Sequence, residues 1–316
     1  MSMRWPAAAL LVVVGFCGCG LGEASGLGQA RGVATAPSFD VASVRLNRSG
    51  SPPAGEPSRS NVPLGPGDAF NPTGGVLRAT NFPLLTYVEF AYRMTDYQVR
   101  AFAAEVPAWV AGERFDIEAR TEKTAVSKDE LRLMMRSLLA ERFHLALHFA
   151  GREVPVFALV LARPGVTGPK LRQHPAGAGC TTSYGASRDA AGATGAEPPE
   201  TVAEGFPTVC GAIVGVPASA QDRYSFGARN LEMSRIASAL ASWGDLGRPV
   251  LDRTGLPGGY DFVLEYTPDP PPANAPDSGG PGFREALRQQ LGLKLEPQKG
   301  AVEFPVLDHV EHLTEN

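Results

Sequence analysis

His144 and His148 stand four residues apart, the spacing that places two imidazoles on one metal ion when the segment is helical. The intervening residues point to another geometry. Leu145, Leu147 and Phe149 alternate with His144, Ala146 and His148, so a strand is expected with both imidazoles on its polar face. No glutamate lies between them as in a metalloprotease helix, and no third ligand is specified, so no metal is expected. A second group, Asp308, His309, Glu311 and His312, could hold a metal or relay protons, or be the solvated end of a strand. A third, Asp252 and Arg253 with Asp261 nearby, could form a small polar recognition site, because a guanidinium fixes a carboxylate's geometry. The same residues also stabilise tight turns, where Asp accepts bonds from nearby amides. Asp252, Arg253, Asp308 and His309 are therefore the candidate binding residues. If they act together as a hydrolytic site, they must converge in one pocket.

Cys180 and Cys210 are the two cysteines in the body of the chain. In an oxidising compartment they are expected to form one disulfide, closing a loop of about thirty residues worth about 3 to 4 kcal/mol in the chain-entropy picture. A reactive thiol is the competing reading, with His174 six positions from Cys180. The sequence has no Walker-type phosphate loop, no Gly-x-Ser-x-Gly elbow, no His-Glu-x-x-His and no dinucleotide fingerprint after a strand. No cofactor is expected, and binding is favoured over catalysis.

The elements that must carry these residues are legible in part. Arg248 to Thr267 is the most sharply patterned stretch, read as two short strands joined by a Thr-Gly-Leu-Pro-Gly-Gly turn. Earlier, Phe39 to Leu46 alternates with Phe39, Val41, Val44 and Leu46 inward. Val76 to Asn81 predicts a strand ending in an Asn cap, then a helix through Tyr92 with Pro83 in its first turn. Phe115 to Thr121 is a further strand. Ser127-Lys-Asp-Glu130 is a capping box, followed at helical spacing by Leu131, Met134, Met135, Leu138 and Leu139. Two strands, Phe143 to Phe149 and Val154 to Leu161, are expected around a turn at Gly151. In the second half a helical pattern runs from Asn230 to Trp243, and another with Phe283, Leu287 and Leu291 on one stripe stops at Gly292.

Three ordered matches suggest a duplication: Ala79-x-Asn81 with Ala228-x-Asn230 at an offset of 149, Phe115-Asp116 with Tyr260-Asp261 at 145, and Glu153 to Val160 with Glu303 to Val310 at 150. The expected fold class is α+β, two tandem similar modules, each a small sheet with two packed helices. The expected boundaries are 1–30 for a signal peptide and linker, 38–162 for the first module with a Pro/Gly-rich loop at 51–74, 163–222 for a Gly/Ala/Ser-rich insertion holding the cysteine pair with a short strand near Ala212 to Val216, and 223–316 for the second module with a Pro-rich loop at 267–282.

Compartment and partners follow from composition. Arg4 followed by the apolar run Ala7 to Phe16 is too short for a membrane span and suits a signal-peptide core, with cleavage after Ala24 or Ala30, or lipid attachment at Cys19. The chain is expected to be periplasmic or extracellular, touching membrane only through that lipid. A formal charge of -4 without long runs of one sign leaves no electrostatic footprint for nucleic acid. The remaining partners are another envelope protein or a small ligand.

The stretches Phe39-Asp-Val-Ala-Ser-Val, Leu77 to Tyr92, Val106-Pro-Ala-Trp-Val-Ala-Gly-Glu-Arg-Phe-Asp-Ile-Glu-Ala, Arg248-Pro-Val-Leu-Asp-Arg-Thr-Gly-Leu, Gln290-Leu-Gly-Leu-Lys-Leu-Glu-Pro and Val306-Leu-Asp-His-Val-Glu together closely resemble the soil-associated family of exported bacterial proteins of unknown function. The resemblance implies a domain found secreted alone or appended to antirepressor-type membrane metallopeptidases, and it brings no catalytic residues. Each half is also similar to the short N-terminal domain of secretins and TonB-dependent receptors, which implies periplasmic contacts. The expected function is that of an exported binding or interaction module, a sensory or regulatory partner of an envelope protein.

Overall fold

The computed structural model describes residues 36–50, 55–68, 70–180, 205–270 and 279–313. The expected signal segment with Cys19, and parts of the expected loops at 51–74, 163–222 and 267–282, lie outside the described residues. Elements of both kinds are present, and the fold is α+β.

The first sheet is built from β1 (Val41–Asn47), β2 (Arg59–Ser60), β3 (Val76–Pro83) and β4 (Arg114–Arg120), in the order β1-β4-β3-β2, with every pairing antiparallel. Alternation sets its inner face: Leu77 and Ala79 of β3 and Phe115, Ile117 and Ala119 of β4 are buried together. β1 departs from the expected pattern in part. Phe39 and Val44 pack on the core as expected, with Ala42 beside them, whereas Val41 is 69% and Leu46 38% exposed, because an edge strand is covered on one face alone. Asn81 is not a helix cap. It sits inside β3 at φ 60, where the register against β4 shifts, and its N–H donates to the Asp116 carboxylate at 2.8 Å. Helix α1 (Leu84–Tyr92) then starts behind Pro83, whose fixed φ suits that position.

Two short helices follow that periodicity alone did not reveal, α2 (Asp96–Ala103), capped by Thr95 and Gln98, and α3 (Ala108–Gly112). Helix α4 (Lys128–Phe143) has the expected box: Ser127 accepts from the Glu130 amide, and the Glu130 side chain accepts from the Ser127 amide. Leu131, Met134, Met135, Leu138 and Leu139 form its buried stripe, each worth about 2 kcal/mol of transfer free energy. His144, at φ 48, ends this helix and so belongs to its C-cap and not to a strand.

The two strands expected around Gly151 are one, β5 (Ala146–Leu161). The second sheet comprises β6 (Leu171–Gln173), β7 (Ile213–Gly215), β8 (Tyr224–Glu232) and β10 (Gly259–Tyr266), in the order β6-β10-β8-β7. Both β6 and β7 fall within 163–222, and β7 coincides with the short strand expected there. Helix α5 (Met233–Trp243) covers this sheet with Met233, Ile236, Ala237, Leu240 and Ala241. Between them, β9 (Val250–Asp252) does not form a hairpin with β10. It pairs in parallel with β5, Phe157 against Val250 and Leu159 against Asp252, so the glycine-rich turn joins two different sheets. A turn signal fixes chain reversal locally; which partner takes a three-residue strand is decided by tertiary packing.

Helix α6 (Phe283–Ala286) runs into a π-helical turn (Leu287–Leu291) and stops at Gly292, at φ 70, as the sequence predicts. Strand β11 (Leu293–His309) then pairs antiparallel with nearly the whole of β5. The long partner explains why Gly151 makes no turn: it lies opposite Glu303 inside a continuous ladder. At one end of this ribbon Leu147 and Leu307 pack in the first core, and at the other Phe157, Leu159 and Leu293 pack in the second.

Candidate functional site

The four residues singled out by sequence separate into two distant pairs. Asp252 lies beside Leu159 of β5, and its Oδ1 accepts from the Thr254 amide at 2.9 Å and the Thr254 hydroxyl at 2.7 Å. Arg253 donates its backbone N–H to Leu159 O. His309 instead pairs with Ala146, at the other end of the same strand. Thirteen residues separate those positions on β5, a contour of about 40 Å at roughly 3.3 Å per residue. No side chain bridges that span, so the convergence required of a shared hydrolytic pocket is not met.

At the far end of the ribbon three histidines pair with two acids. His148 Nδ1 lies 2.9 Å from Asp308, His309 Nε2 lies 2.7 Å from Glu311, and His144 Nδ1 lies 3.2 Å from Glu311. His312 stacks on Trp109 with ring centroids 4.0 Å apart. The hydrogen bond from His309, with His144 adding to it, holds the Glu311 carboxyl below its ordinary range. These side chains are exposed, and their pairs are of the solvated kind that contributes little.

Away from both pairs, a cavity of about 240 Å³ opens between the first and second halves. Loop 63–67, Thr95 and Asp96 at the start of α2, and Lys128 at the start of α4 line one side; residues 211–213 and the Arg235 to Ala239 face of α5 line the other. The loop is held because Val62 and Leu64 are buried in the first core, which lays Gly65 to Gly67 across the beginning of α4. Three cations grip its carbonyls. Lys128 Nζ donates to Gly67 O at 2.5 Å, Arg132 donates to Pro66 O and Gly67 O, and Arg235 donates to Pro66 O. Lys128 is 4% exposed and Arg132 2%.

Arg93 and Arg132 pair with the carboxylates of Asp68 and Asp129, and Lys128 and Arg235 lie in the field of Asp68. Burial, reinforced by Arg132, Arg235 and Arg93 and opposed by Asp68, pushes the Lys128 pKa down to about 7. Burial likewise lowers that of Arg235, with Arg93 adding to the effect and Asp68 and Glu232 opposing it. The acid on the cavity wall, Asp96, accepts the Ser242 hydroxyl of α5. Nearby, burial and then the Asp96 charge raise the Glu89 carboxyl to about 7. In the sequence Lys128 is only the second residue of a capping box; the docked loop and α5 make it a buried cation.

A further constellation surrounds Asp261, which is fully buried. Its Oδ1 accepts from the Asn230 amide at 3.0 Å and lies 2.7 Å from His174 Nδ1. Its Oδ2 lies 3.4 Å from Arg172 Nε and 3.9 Å from Arg229 Nε. Asp261 thus serves this cluster and not Asp252 or Arg253. Cys180 and Cys210 are joined in the expected disulfide, with Cα atoms 5.4 Å apart. One ring nitrogen of His174 and the two sulfurs lie within 4.8 Å of one another. Nitrogen and two sulfurs are a zinc-like donor set, but sulfurs bonded to each other are not thiolate ligands, so the cluster as it stands is not a metal centre.

The chain matches the family described as "Protein of unknown function (DUF3738)" over residues 85–310 and belongs to that family. No curated protein and no solved structure matches it. Among the described residues, no helix is long and apolar enough to cross a membrane.

Proposed function

We propose that the chain is an exported binding module that takes a small anionic ligand in the cavity between its halves and reports its presence to an envelope protein. The carrying observation is that Lys128 and Arg235 both line that 240 Å³ space. Such a volume holds about eight waters at roughly 30 Å³ each, and a carboxylate or phosphate displacing them would meet cations already desolvated by the fold. The disulfide supports an oxidising compartment.

We also read the two halves as copies of one module, of the kind found in the secretin and TonB N-terminal domains or appended to membrane metallopeptidases. Support comes from the strand orders β1-β4-β3-β2 and β6-β10-β8-β7, which correspond element by element. It also comes from Asn81 and Asn230, both at positive φ, each donating its amide to an aspartate on the neighbouring strand.

The experiment is a thermal-shift titration with phosphate, citrate and glycerol phosphate, run in parallel on wild type and on Lys128→Met/Arg235→Met. Ligand at a hundredfold excess over its Kd stabilises by about 2.7 kcal/mol, a shift of several degrees for a protein of this size. The expected result is a shift with at least one anion that the double variant loses. If no anion shifts the wild type, and envelope extract yields no partner, the reading fails.

A further inference from the structure

We propose that Cys180–Cys210 is a redox-active disulfide, exchanging with dithiols, and that His174 is the proton donor to its departing sulfur. Three observations meet here. A His174 ring nitrogen lies within 4.8 Å of both sulfurs. The ring is held by Asp261, fully buried and 2.7 Å from Nδ1, which fixes the imidazole's orientation. The cysteines themselves are half-buried and belong to neither hydrophobic core.

The first sheet carries an internal control. His174 lies two residues beyond Arg172, which pairs with Asp261; Asn47 lies two residues beyond Arg45, which pairs with Asp116. There Asn47 Nδ2 donates to Asp116 Oδ1 at 2.7 Å, and the Asn81 amide donates to the same oxygen at 2.8 Å. An amide side chain therefore satisfies the half-buried Asp116 carboxylate in this architecture. The second sheet places a titratable ring at that position instead, and there the disulfide lies.

The step balances as follows. One thiolate of a dithiol attacks one of the two sulfurs, forming a mixed disulfide. The Cys180–Cys210 bond breaks, its electron pair passes to the departing sulfur, and the imidazolium proton of His174 follows it. The dithiol's second thiol gives its proton to the now neutral His174 ring, and its sulfur attacks the mixed disulfide and leaves as part of a cyclic disulfide; the second cysteine departs as a thiolate and takes from solvent the proton that the first attacking thiol had released there. Two electrons and two protons have moved from the dithiol to the protein, which now holds two thiols.

The test is the rate of disulfide reduction by dithiothreitol, in wild type and in His174→Asn, with melting temperature measured for both. The asparagine reproduces the Asn47 arrangement and keeps a donor for Asp261. Adjacent cations lower a thiol's pKa by about one to five; a lowering of about two, with exchange rates changing by about half a decade for each, sets the scale. Loss of the ring is therefore expected to slow reduction about tenfold. A purely structural His174 predicts the reverse, since loosening the segment exposes the sulfurs and speeds reduction. An unchanged or faster rate in a folded variant overturns the proposal.

A second measurement needs no variant: the wild-type rate per dithiothreitol thiolate, followed from about pH 5 to about pH 8. A proton donor beside the sulfurs, on a ring set among Asp261, Arg172 and Arg229, makes that rate fall with rising pH; a pH-independent value overturns the proposal.

Discussion

Replacing Lys128 with methionine removes a buried ammonium while keeping most of the side chain's length, and its effect should depend on pH in a defined way. The folded protein holds this amine at a pKa of about 7, against 10.5 in the unfolded chain. Between those values the unfolded chain binds a proton that the folded one does not. Wild-type stability therefore rises with pH through that window. Integrated from pH 7 to pH 9, the gain is about 2 kcal/mol, and below pH 7 the full penalty is present. Lys128→Met also loses the donations to Gly65 O and Gly67 O, but that cost does not vary with pH and only offsets the curve. The assay is urea unfolding of both proteins at a series of pH values, with the difference in unfolding free energy plotted against pH. The difference should change by about 2 kcal/mol in favour of wild type between pH 7 and pH 9. Parallel curves would show that Lys128 titrates normally and would remove the electrostatic basis of the cavity. A bound anion should flatten the wild-type slope, because it favours the charged amine and binds with uptake of a proton.

Two further outcomes follow from named groups. Glu89 has its folded pKa raised from 4.5 to about 7, so its stabilising contribution is full below pH 4.5 and is lost as pH rises through 7. Glu89→Gln should flatten thermal stability across that interval, removing a fall of about 3 kcal/mol. Asp261 and Asp116 make the same bond to a strand amide, but Asp261 is fully buried and has cationic side chains around it. Asp261→Ala should cost about 3 to 5 kcal/mol by urea unfolding, because it strands Arg229 and His174, and Asp116→Ala should cost clearly less. Equal costs would mean that the cations around Asp261 contribute nothing.

What the sequence reveals depends on how local the cause is. Helix α4 was readable because Ser127, Glu130 and a five-residue apolar stripe each act within a few turns. The Gly292 stop and the Cys180–Cys210 pair were readable for similar reasons. The ribbon was not: nothing within Phe143 to Leu161 says that a strand beginning at Leu293 will straighten it through Gly151. The same applies to β9, whose partner is chosen by β5 and not by its own turn. Lys128 looks solvated in sequence, between Ser127 and Asp129, and is buried only because Val62 and Leu64 pull a glycine-proline loop over it. His174 was noted for its distance from Cys180 along the chain, but its bond to Asp261 spans 87 residues and is visible only in three dimensions.

The β5–β11 ribbon has a consequence for the order of events in synthesis. Leu307, Val310 and Leu313 pack against the core formed by residues 62–145, and the Glu311 amide donates to Phe143 O at 2.7 Å. A nascent chain that has made β1 to β4 and their helices thus has a core with one wall absent, and must wait for some 150 further residues to supply it. Folding by halves, the usual course for tandem units on the ribosome or emerging from a translocon, is blocked here. The two halves should instead unfold in a single transition, and loss of residues 307–313 should loosen the first core before the second, although those residues follow the second in sequence.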